Sequence, residues 1–169
     1  NITTTIGGGS ATVNASTGMV TATGSGVAIL VASMSETADY TSASASTTIA
    51  IAASTPVLSI TVAGGLSLTV DGTAQAIASS NPLTTTTQQT IVYSAVAGSG
   101  SVTIDAVMGQ ITGTSAGTVT IVATALANSN YNQATTNTVV LVGKRTPTLQ
   151  FSPQPTAIVV GATQTVSAT

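Results

Sequence analysis

The chain has 169 residues, 43% hydrophobic and 4% charged, with a formal net charge of −2. That is enough apolar material for one large or two small domains, but a typical soluble domain has about 25% charged residues, so Ser, Thr, Asn and Gln must keep this one in solution. Two adjacent bases, Lys144 and Arg145, cannot neutralise a run of phosphates, which excludes nucleic acid and anionic membrane surfaces; the longest apolar stretches, 27–32 and 139–142, fall far short of the roughly 18 residues a membrane span needs.

One internal offset dominates the chain. Shifted by 91 residues, it matches itself at Gly7/Gly98, Gly9/Gly100, Ser10/Ser101, Thr12/Thr103, Gly18/Gly109, Gly26/Gly117, Tyr40/Tyr131, Pro56/Pro147 and Leu58/Leu149. The 60 ungapped pairs from Asn1/Val92 to Ile60/Phe151 contain 17 identities, against roughly 7 by accident for a composition this biased. After Leu149 one deletion restores the register, aligning Val70-Asp71-Gly72-Thr73 with Val160-Gly161-Ala162-Thr163. The expected organisation is therefore residues 1–55 as the C-terminal part of one repeat, 56–146 as a complete repeat, and 147–169 as the N-terminal strands of the next. Residue 1 reads as internal to a longer precursor, with any export signal elsewhere.

In chain order, Asn14-Ala-Ser-Thr-Gly18 reads as a hairpin turn closing on a positive-φ glycine. Gly26-Val-Ala-Ile-Leu30 follows as an apolar strand without a threonine face, implying that its outer side is packed. Glu36 and Asp39 lie in the turn before Tyr40. Thr55-Pro56 marks a repeat junction, since proline fixes φ and cannot donate to a ladder. In the complete repeat, strands are expected near 57–60, 66–70, 73–78, 90–96, 101–105, 110–114, 117–125 and 136–142, with 81–89 as the long loop. Val119, Ile121 and Ala123 alternate with Thr118, Thr120 and Thr124, which puts one face in a core and the other toward water. Asp105-Ala-Val-Met-Gly109 repeats the hairpin turn, and Thr146-Pro147 repeats the junction. Only about two residues separate the last strand from this proline, which implies a stiff array. The fold class is all-β: tandem immunoglobulin-like β-sandwich repeats of 91 residues.

At several of these residues the chain resembles the bacterial immunoglobulin-like (Big-type) tandem repeats of large surface proteins and adhesins. The carriers are Thr-Pro-Thr-Leu-Gln-Phe (146–151), Ile-Val-Val-Gly-Ala-Thr (158–163), residues 93–102, Gly109-Gln-Ile-Thr-Gly-Thr-Ser-Ala-Gly-Thr-Val-Thr-Ile121, and Asn130-Tyr131 before the final strand. The resemblance covers nearly the whole chain. It implies an extracellular, bacterial cell-surface location and partners that are neighbouring repeats, copies of itself or a host ligand.

The residue inventory points away from catalysis. There is no His and no Cys, so the usual acid–base and thiol groups are missing, and no catalytic, cofactor-binding or metal-binding residue is assigned. Glu36 and Asp39 could supply oxygens to calcium, but their counterparts, Ala127 and Asn130, have lost both charges. Tyr40 and Tyr131 are expected to plug the sandwich ends, not to stack on sugars. Lys144 could form an intramolecular isopeptide bond, but its counterpart is Ala53, so a polar linker is expected. The leading expectation is a structural stalk or fibre segment. The alternatives are a filament subunit polymerising by donor-strand-type completion of split domains, since 147–169 and 1–55 are complementary fractions of one repeat, and an adhesive module binding a host protein or glycan through the 81–89 loop.

Overall fold

The computed structural model describes residues 2–6 as backbone, and 11–81 and 89–168 in full. Of the expected adhesive loop 81–89, residues 82–88 lie outside the described residues. Every regular element among the described residues is a β-strand.

The middle of the chain forms a β-sandwich. One sheet is built from β6 (Val57–Ala63), β8 (Thr73–Asn81), β10 (Ser101–Ile104) and β11 (Gln110–Ser115), in the order β10-β11-β8-β6. The other is built from β7 (Ser67–Thr69), β9 (Ile91–Ala97), β12 (Gly117–Ala125) and β13 (Ala134–Gly143), in the order β7-β13-β12-β9. These eight strands fall where β-branched runs and turn residues predict them. Pairing is antiparallel except where β7 lies parallel to the end of β13, Leu141 opposite Ser67 and Gly143 opposite Thr69.

Alternation along β12 gives the core its shape. Val119, Ile121, Ala123 and Ala125 are buried, and Val119 and Ile121 join Leu68, Val140 and Val142 of their own sheet in one core with Val62, Ala76 and Ile111 of the facing sheet. Each fully buried Val or Ile contributes about 1.5–3 kcal/mol, and in a chain with 2% aromatic residues the largest fully buried side chains are all β-branched: Ile111, Ile121, Val119, Val140 and Val142. No polar side chain among the described residues is buried, so this core incurs no desolvation cost for unpaired polar groups. The tyrosine that closes it is Tyr93 on β9, half-buried, whose hydroxyl accepts the Ala78 N–H at 2.9 Å. Tyr40, expected as a plug, is 70% exposed.

The turn between β10 and β11 shows why this sequence folds locally. The Asp105 carboxylate accepts the N–H groups of Val107 (2.8 Å) and Met108 (2.7 Å), and Gly109 closes the turn at φ 71° with its N–H on the Asp105 carbonyl. Those two backbone donors, Met108 first, hold the Asp105 carboxyl below its ordinary value. With the folded value lowered, the contribution of this carboxylate is present above the ordinary 3.8 and is lost as pH falls through the folded value. Asp105→Asn keeps the acceptor and removes the titration. Between pH 5 and 2, its urea midpoint should fall less steeply than that of the wild type; parallel curves would refute this account of the turn.

The described residues of 1–55 form less. β4 (Gly26–Met34) pairs on one side with β1 (Ile2–Ile6) and on the other with β5 (Ala43–Ile51), giving a three-stranded sheet; β2 (Ala11–Val13) and β3 (Val20–Ala22) form a separate hairpin. Each of these Cα pairings recurs 91 residues later. Ile2 opposite Ala32 becomes Tyr93 opposite Ala123; Ala11 opposite Ala22 becomes Val102 opposite Gly113; Gly26 opposite Ile51 becomes Gly117 opposite Val142. The turn recurs too, with Asn14 holding the N–H groups of Ser16 and Thr17 and Gly18 at φ 72°.

What does not recur is the covering sheet. In the sandwich, β8 pairs with β11 and β7 with β13; the hairpin β2-β3 and the edge of β5 have no equivalent neighbours among the described residues. Burial follows directly. Ile121 is fully buried, whereas Leu30, its counterpart at the same register position, is half-exposed, and Met34, the counterpart of buried Ala125, is 51% exposed. An open apolar depression of about 260 Å³ lies between Leu30, Ala32, Ala45, Ser46 and Thr47. The outer side of β4, expected to be packed, leaves Val27 44% exposed with Ile29 and Val31 half-buried.

Beyond Gly143 the chain is thinly structured. β14 (Phe151–Ser152) pairs with β15 (Ser167–Ala168), and Leu149, Phe151, Ile158, Val159 and Val160 are all exposed. Their counterparts by sequence in the sandwich include buried Leu68, matched by Ile158, and half-buried Ile60, matched by Phe151.

Candidate functional site: the junction at Ser54

The chain's charged groups do not converge. Glu36 and Asp39 are exposed in the segment between β4 and β5, and among the described residues no cluster of three or more His, Cys, Asp or Glu exists to hold a metal ion. Asp71 and Arg145 meet in one ion pair at 2.9 Å, but both side chains are about two-thirds exposed, so water and salt screen the attraction to about 1 kcal/mol or less. Beside that pair, Val70, Thr146, Pro147 and Thr148 line an open groove of about 590 Å³.

The most highly built feature outside the core is the contact that fixes residues 1–55 against the sandwich. At its centre is a main-chain bridge, flanked by side-chain hydrogen bonds. Ser54 donates its N–H to the Asn130 carbonyl at 2.9 Å and accepts the Asn132 N–H at 2.8 Å, so Ser54 and Tyr131 form a parallel β-bridge. The Asn132 side chain donates to the Thr55 hydroxyl at 3.0 Å. From the other side, the Asn130 side-chain oxygen accepts the Ser25 N–H at 2.9 Å, and the Ser25 hydroxyl donates to the Ser129 carbonyl. Pro56 follows at once and is buried. A linker tied at 53–55 by this many bonds and stiffened by proline resists bending between the two segments.

The receiving turn is preorganised. Asn128 donates its N–H to the Tyr131 carbonyl at 3.0 Å, and its side-chain oxygen accepts the N–H groups of Asn130 and Tyr131, both at 2.9 Å. This points the Asn130 carbonyl and the Asn132 N–H outward as a docking edge. The same turn exists 91 residues earlier: Thr37 donates to the Tyr40 carbonyl at 2.8 Å, and Tyr40 donates to the Thr37 hydroxyl at 3.2 Å. In that copy Tyr40 is 70% exposed.

The sequence marked Asn130-Tyr131 and Thr55-Pro56 as recurrent but did not bring them together, because the central bridge is made by backbone groups, which impose no side-chain signature. The only available hint was that both motifs keep the same offset.

No protein-family model matches the chain, and no curated protein matches it. Among solved structures it is similar to the surface layer protein SbsC, domains 1–6, with 15% sequence identity and a TM-score of 0.38, over 89% of this chain and 21% of that one. The chain thus spans about a fifth of the length of that structure.

Proposed function

We propose that this chain is a structural stalk or fibre segment of an extracellular bacterial surface protein, built from tandem 91-residue immunoglobulin-like repeats, with no catalytic role. The observation that carries this reading is the Ser54 junction: a proline-stiffened, main-chain-bonded joint between two segments whose strand pairings recur in the same register. Such a joint transmits force along ladder hydrogen bonds and keeps consecutive units in line. The charge-poor, hydroxyl-rich exterior fits an environment of variable salt, because there are few ion pairs to screen.

Small-angle scattering from the dilute chain tests the reading. An elongated particle with the cross-section of a single sandwich is expected; a compact globule would refute end-to-end stacking.

A second reading, a filament subunit completed by strand donation, is favoured by one observation. The inner face of β4 and β5 is closed at Ala28 but open around Leu30 and Ala32, and the exposed apolar residues of 149–160 are the sequence counterparts of strands that cover that face in the sandwich. Copies that associate reversibly through noncovalent contacts support it, whereas a chain that stays monomeric at high concentration rules it out.

A further inference from the structure

We infer that the turn Glu36–Thr41 is the docking surface for the segment Lys144–Thr146 of a second copy of this chain, in the register seen at Ser54, and that opposite charge selects this pairing. The inference rests on the end-to-end reading above and adds to it a specific interface and the residues that determine its partner.

The argument transposes the observed joint by 91 positions. Ser54 corresponds to Arg145, Ala53 to Lys144 and Thr55 to Thr146; on the receiving side Asn130 corresponds to Asp39, Tyr131 to Tyr40, Asn132 to Thr41 and Ala127 to Glu36. The main-chain bonds survive transposition because they need no particular side chain: Arg145 N–H would meet the Asp39 carbonyl, and Thr41 N–H the Arg145 carbonyl. The turn that presents them is already formed, with its Thr37 to Tyr40 bond in place and Tyr40 70% exposed. The side-chain contacts change kind. Asn132 on Thr55 becomes Thr41 on Thr146, and Asn130 on the Ser25 N–H becomes the Asp39 carboxylate on the Ala116 N–H, a charge-assisted bond.

Charge identifies the occupant. At the observed joint all these positions are uncharged. At the transposed joint one side has Glu36 and Asp39 and the other Lys144 and Arg145, which are four of the six ionisable residues the composition counts as charged. A chain with so few charges has placed both bases on one half of the transposed contact and two of its four acids on the other. Arg145 reaches Asp71 within its own copy through an exposed pair, a bond weak enough to share or exchange. Complementary charges of this kind select register and partner more than they add affinity.

The test uses the intact 169-residue chain in sedimentation experiments at low and high salt. The wild type should associate head to tail. The tail variant Lys144→Glu/Arg145→Glu and the head variant Glu36→Lys/Asp39→Lys should each associate at least about tenfold more weakly alone, and an equimolar mixture of the two should recover association, because only unlike variants then present opposite charges. Asp71→Asn should associate at least as well as the wild type. Association that is indifferent to charge reversal, or not restored by mixing, overturns the charged joint while leaving end-to-end stacking intact. A chain that does not associate under any condition overturns the second-copy partner, and scattering on the same sample reports separately on stacking within the chain.

Discussion

Gly117→Ala should destabilise the sandwich by about 3 kcal/mol or more, although it adds a single methyl group. Gly117 opens β12 at φ 138°, a region L residues rarely adopt, and it lies against the β9–β10 connection: a methyl group there would come within 2.5 Å of the Ser99 carbonyl carbon and 2.7 Å of its oxygen. Those are backbone atoms held in place by Gly98 and Gly100, whose N–H groups both donate to the Thr118 carbonyl at 3.1 Å. Neither side can yield without breaking the ladder, so strain and overlap add. Gly64→Ala is the matched control. It also has a positive φ, 92°, but its methyl group would meet nothing within 4 Å, and it should cost only about 1 kcal/mol. Urea unfolding of both variants checks the comparison, and equal losses would show that overlap at Gly117 is relieved by a local shift.

Gly117 also shows what could be read from sequence alone and what could not. Its recurrence opposite Gly26 was visible as a matched pair, and the positive φ values of 129° and 138° give the physical reason for it. The strands were equally legible, since Val119, Ile121 and Ala123 alternate with threonines and turn residues bracket each run. The parallel pairing of β7 with β13 was not: three residues with one buried leucine carry no directional information. Tyr40 misled for a related reason. Recurrence pointed to it as a plug, but it is 70% exposed and what recurs there is a backbone turn, while a hydroxyl that bonds across the sandwich belongs to Tyr93, whose counterpart is Ile2. A pattern of identities locates shared backbone geometry more reliably than it assigns side-chain roles.

Ile121→Ala and Leu30→Ala, the same register position 91 residues apart, should give opposite results in isolated and associated chains. Ile121 is fully buried among Val62, Ala76, Ile111, Val119 and Val140, so truncation leaves a cavity that a rigid β-sandwich can only partly close, and about 3–4 kcal/mol is expected. Leu30 faces the open depression between β4 and β5, where water already replaces part of the lost contact, so its truncation in dilute solution should cost less than about 1 kcal/mol. If a second copy lays its 148–168 segment over that face, Leu30 acquires a core environment only on association. Leu30→Ala should then weaken association by about tenfold or more while leaving the monomer's unfolding midpoint nearly unchanged, and Ile121→Ala should shift the midpoint without a comparable effect on association by the molecules that remain folded. Unfolding and sedimentation measured on the same two variants separate the cases. Should Leu30→Ala destabilise the dilute chain as much as Ile121→Ala, the face is already covered within one molecule. No shortfall of burial would then remain to drive copies together, and the apolar residues of 149–160 would need a different partner.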